Sequence, residues 1–112
     1  MRALKKTEQD LIIFLLNKKP DNEHLINGLS DLLVEEMSDG EMGSLKFLSN
    51  DTKKRKMGTE VSAITLLDID GIPLSISLNL DEEGELYELD VWKVDFSPLK
   101  QLPLYPYTQV ER

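Results

Sequence analysis

The chain has 112 residues, 13 basic against 21 acidic side chains, a formal net charge of −8 and no cysteine. One domain spanning 1–112 is expected, large enough to bury most of its unfolded surface without staples, and 40% hydrophobic residues argue against disorder. The missing cysteines exclude disulfides, thiolate metal sites and cysteine nucleophiles, and the acidic balance disfavours binding to nucleic-acid phosphates.

The apolar run Leu11–Leu16 is too short for a secretory or membrane-spanning segment, so a soluble, cytoplasmic protein without membrane contact is expected. Thr7 and Asp10 resemble a capping box with Asp in place of Glu. Leu11, Phe14 and Leu15 recur at helical spacing, which predicts a first helix over about residues 7–18, closed by Lys18, Lys19 and Pro20. Asp21 or Asn22 caps a second helix ending near about residue 30, whose stripe of Leu25, Ile26, Leu29, Leu32 and Leu33 extends beyond it.

Val34–Ser38 and Ser44–Ser49 read as a first hairpin around Asp39-Gly40-Glu41-Met42-Gly43, followed by a polar loop, Asn50–Gly58, with the basic run Lys53-Lys54-Arg55-Lys56. Thr59–Ile69 is a strand, and Asp70-Gly71 supplies its tight turn. Ile72, Leu74, Ile76, Leu78 and Leu80 then alternate with polar residues without a miss, the pattern of a half-buried strand. Asp81-Glu82-Glu83-Gly84 turns the chain into a last long strand, Glu85–Asp95, with Leu89, Val91, Lys93 and Asp95 on one face. Prolines 98, 103 and 106 make the tail an extended segment lying over the core or across a partner. The fold class is α+β, with two N-terminal helices packed on an antiparallel β-meander of about five strands.

No catalytic constellation emerges. Asp68-Ile69-Asp70-Gly71 begins like a calcium loop, but its twelfth position is Asn79, where a bidentate Glu is required, so it reads as an acidic hairpin turn. His24 is the single histidine and has no partner to share a metal, so no metal or cofactor is expected. Lys53–Lys56 reads as a solvated loop in an acidic protein, and Trp92 as a core anchor, since large aromatics dominate burial.

Gly40-Glu41-Met42-Gly43-Ser44-Leu45 and, far more specifically, Glu88-Leu89-Asp90-Val91-Trp92-Lys93-Val94-Asp95-Phe96-Ser97-Pro98-Leu99 give the chain its individuality. On these motifs it resembles a family of small uncharacterised bacterial single-domain proteins, a domain of unknown function. The resemblance implies a bacterial, cytoplasmic protein and carries over no site residues.

Small acidic α+β proteins of this size include immunity proteins that neutralise toxins. A non-enzymatic protein-binding module is therefore the leading expectation, with such an inhibitor as one form of it, meeting a basic partner through Asp39, Glu41, Met42, Glu82 and Glu83. The alternative is a ligand-binding protein or small enzyme with Tyr87, Glu88, Trp92 and Lys93 around a pocket between helices and sheet. A homodimer joined through a sheet edge is a third reading.

Overall fold

The computed structural model describes residues 1–38, 40–48 and 55–110. In chain order it contains β1 (Arg2–Ala3), α1 (Lys6–Leu16), α2 (Glu23–Ile26), a 3₁₀ turn (Leu29–Asp31), β2 (Leu33–Glu36), β3 (Leu45–Phe47), β4 (Met57–Leu67), β5 (Pro73–Asp81) and β6 (Leu86–Lys93). The architecture is α+β, as expected.

The sheet has six strands in the order β1-β2-β3-β6-β5-β4, all antiparallel, rather than about five in a meander. Strands β4 to β6 do form a meander, but β3 docks on the far side of β6 through Leu45↔Leu89 and Lys46↔Glu88. That docking makes β6 a central strand. The extra strand is β1, whose Arg2 and Ala3 pair with Val34 and Leu33 of β2.

The cap of α1 also differs from the expected Thr7–Asp10 box. Glu8 accepts from the Lys5 backbone N–H at 2.8 Å, while Asp10 ion-pairs with Lys6 one turn back. Arg2 grips both Glu8 oxygens at 2.7 and 2.8 Å and reaches Glu36 at 3.2 Å, tying β1, α1 and β2 together. Burial pushes the Glu8 carboxyl up, but these donors outweigh it and hold the carboxyl below its usual range. The second helix is only four residues long and passes into the 3₁₀ turn after Gly28, so its apolar stripe does not continue: Leu33 sits on β2 and is 42% exposed.

Leu11, Ile12, Leu15 and Leu16 of α1 pack on one face of the sheet, against a core that includes Ile64, Leu66, Leu74, Ile76, Leu78, Leu89 and Val91. Ser62 of β4 donates to the Leu15 carbonyl at 3.0 Å and fixes the helix end over the sheet. Gly71 and Gly84 hold positive φ of 81° and 84° in the two expected hairpin turns. The tail crosses the helix side: Leu99, Leu102 and Tyr107 pack against the core, and the Val110 N–H donates to Thr65 O at 2.8 Å on the β4 edge. Asp39, Ser49, Asn50, Lys53 and Lys54 lie outside the described residues.

Candidate functional site

The two motifs singled out in the sequence meet at one end of the sheet. The Ser44 hydroxyl donates to Val91 O at 3.1 Å and accepts from the Val91 N–H at 2.9 Å, so a side chain continues the β3–β6 ladder. The Leu99 N–H donates to Glu41 O at 3.0 Å, and the Lys93 N–H lies 3.3 Å from Met42 Sδ. Gly43 adopts φ +97°, and a β-carbon placed there would lie 2.8 Å from Leu99 Cδ2. The positive φ favours glycine here, and any side chain would also have to push the Leu99 methyl aside.

A buried charge cluster completes this junction. The Lys93 side chain is fully buried, and its ammonium donates to Asp68 Oδ2 at 2.8 Å, Asp70 Oδ2 at 2.7 Å and Pro98 O at 3.2 Å. Three acceptors match its three N–H bonds. Asp68, itself buried, also accepts from the backbone N–H groups of Ile69, Lys100 and Gln101 at 2.7, 2.7 and 3.0 Å. Burial pushes the Asp68 carboxyl up, but the Lys100 N–H, the Lys93 ammonium and the other donors outweigh it and hold it below the usual aspartate range. The Lys93 hydrogen bond chiefly lowers Asp70. Burial pushes Lys93 down, but the two carboxylates more than compensate and raise it. Lys93 is a permanent cation with its donors spent: it locks the β4–β5 turn to the tail and is no general base.

Among the described residues, the opposite face of the sheet carries no packed helix or strand and is bare. By the alternation of β6, Glu88, Asp90 and Trp92 point away from the helices, whereas Leu89, Val91 and Lys93 point toward them. Trp92, expected in the core, is 43% exposed because none of the described elements forms a layer over that face. It pairs with Ser75 of β5, which faces Thr65 of β4. Its ring lies 5.8 Å from that of Phe96, which is 68% exposed and held at φ +63°. A bulky residue in the left-handed region is strained. Next to this aromatic end lie Asp90, then the cross-strand row Glu35, Lys46, Glu88 and Asn79, with Glu60 beyond on β4.

Of the residues expected to bind a partner, Asp39 lies outside the described residues and the other four are not brought together. Glu41 and Met42 lie beside Leu99 and Lys93 at the Trp92 end. Glu82 and Glu83 occupy the β5–β6 turn at the other end, about 20 Å away by the rise of six strand residues. The Asp81 carboxylate orders that turn, accepting from Glu83 and Glu85 N–H at 2.9 and 3.0 Å and from Arg55 Nε at 2.9 Å. Arg55 also donates to Phe47 O and Leu86 O and covers the Tyr87 ring at 5.3 Å, so this member of the basic run is a structural clasp. The alternative set is likewise divided: Trp92 and Glu88 stand on the bare face, Lys93 on the helix face and Tyr87 under Arg55. A pocket between helices and sheet therefore cannot contain Trp92. Among the described residues no group of three His, Cys, Asp or Glu side chains could hold a metal.

The fold and this junction define a small α+β domain whose signature residues clamp a turn and a tail to the sheet. Residues 1–103 match the family described as Domain of unknown function (DUF6984), and the chain belongs to that family. No curated protein and no solved structure matches it. No helix among the described residues is long and apolar enough to cross a membrane.

Proposed function

We propose that the chain is a non-enzymatic protein-binding module, acting as an immunity-type inhibitor does by covering a basic partner, and that the bare face of its sheet is the recognising surface. One observation carries this reading: Trp92 and Phe96 are exposed in mutual contact at the end of a face whose next rows, among the described residues, hold Glu35, Glu60, Glu88 and Asp90 alongside Lys46. Large exposed aromatics rimmed by polar groups mark interaction sites, and aromatic anchors supply most of the binding energy where they are buried by a partner. The carboxylates would steer and orient a basic surface. They would repel each other if two copies stacked face to face, which disfavours a homodimer through this face. Glu41 and Met42 lie at the same end of the sheet and extend the surface, while Glu82 and Glu83 add only to the overall field.

The test is capture from the source cells at low and high salt, comparing the wild type with Trp92→Ala and with Glu88→Gln/Asp90→Asn. A basic protein retained at low salt, weakened by added salt and lost with both variants is the expected result. Equal capture by wild type and variants would overturn the reading.

A further inference from the structure

A second concave surface lies on the helix side, away from the bare sheet face. One stripe of α1 and Tyr105 of the tail line an open groove of about 590 Å³, within the range of small-molecule sites. Ile13, Phe14 and Tyr105 form its apolar wall, with Lys6 and Asp10 toward one end and Asn17 and Lys18 toward the other. Lys6 is neutralised by its ion pair with Asp10. The Lys18 ammonium sits 4.9 Å from the Phe14 ring centre and has no carboxylate partner among the described residues. In a chain of net charge −8, this groove carries two ammonium groups against one carboxylate.

Beneath the wall, the Tyr107 ring packs edge-on against Phe14 at 4.9 Å and Tyr105 at 5.7 Å, and its hydroxyl is buried without a hydrogen-bond partner. Burial, with Asp10 nearby, pushes that phenol up to about 12, so it stays a neutral donor.

We propose that this groove binds small aromatic monocarboxylates, the ring against Phe14 and Tyr105 and the carboxylate at Lys18. The apolar wall selects a flat hydrophobic body, and the unpaired ammonium selects an anion over the cations that the rest of the surface attracts. This site is independent of the protein-binding reading.

The test follows backbone amide NMR signals while phenylpropionate, or its uncharged analogue phenylpropanol, is added at millimolar concentration. Saturable shifts confined to Ile13, Phe14, Asn17, Lys18, Tyr105 and Tyr107 are expected with phenylpropionate, while the Trp92 indole N–H on the opposite face stays put. Lys18→Gln, at an exposed position, should weaken phenylpropionate roughly fivefold and leave phenylpropanol unchanged. Tyr105→Ala, at a side chain 69% exposed, should weaken both. No saturable shift, equal affinity for the alcohol, or movement of the same signals with protein concentration alone, which would assign the groove to a second copy, would each overturn the proposal.

Discussion

Trp92 and Lys93 are neighbours on one strand, and their environments are the reverse of what their chemistry suggests. The indole stands 43% exposed on the bare face, while the ammonium is wholly buried on the helix face. The difference teaches that strand phase and layer coverage, not residue type, decide burial here. A lysine in the buried phase survives because three acceptors meet it; a tryptophan in the uncovered phase has no layer to enter. The largest expected effect comes from breaking the first half of this contrast. Asp68→Ala leaves the Lys93 charge with one carboxylate and orphans three backbone donors, so urea denaturation should show a loss of about 3 kcal/mol. Adding Lys93→Met to that variant should cost much less than Lys93→Met alone, because the two residues share one interaction.

Acid should do reversibly what that substitution does permanently. Asp68, Asp70, Asp81 and Glu8 all have carboxyl pKa values held below their ordinary range in the folded state. Their contribution is complete above the unfolded values, about 4, and is lost as pH falls through the folded ones. Lys93 has the opposite sign: raised in the fold, it contributes fully below its unfolded value and is lost only as pH rises through the folded one. Stability measured against pH should therefore fall in acid and persist well into the alkaline range. The fall should be shallower in Asp68→Ala.

Much of this fold was legible in the sequence, and where legibility failed, it failed for physical reasons. The alternation from Ile72 to Leu80, the turns at Asp70-Gly71 and Asp81–Gly84 and the extended character of the tail all follow from local patterns, while the tail's place on the core rather than on a partner does not. The docking of β3 on β6 and the Lys93–Asp68 pair are long-range events, and the pair spans 25 residues. A signal for the pair did exist. Lys93 is in phase with Leu89 and Val91, and a lysine in a buried phase demands carboxylates, which the acidic turn at Asp68 and Asp70 offered. The side on which Trp92 falls could not be read the same way, because whether a sheet is covered on one face or two is a property of the whole chain.

The clasp between the motifs offers a smaller effect on the buried side of the comparison. Gly43→Ala would force a β-carbon into the left-handed region and against Leu99, costing about 1–2 kcal/mol in thermal or urea unfolding. Because Leu99 precedes the tail residues that bond Asp68, the same variant should also loosen amide protection at Lys100 and Gln101.

On the exposed side, stability and recognition should part company. Phe96 is strained at φ +63° and contributes little to the core, so Phe96→Gly should stabilise the fold by up to about 1 kcal/mol while weakening partner capture. Trp92→Ser is the sharpest case because its expected effect on unfolding is small, within about 1 kcal/mol, for a side chain 43% exposed whose ring contact is with the exposed Phe96. If that variant keeps wild-type stability yet loses the basic partner, the indole is exposed for recognition. If it destabilises the protein as much as Asp68→Ala does, Trp92 belongs to the fold after all, and the contrast with Lys93 collapses.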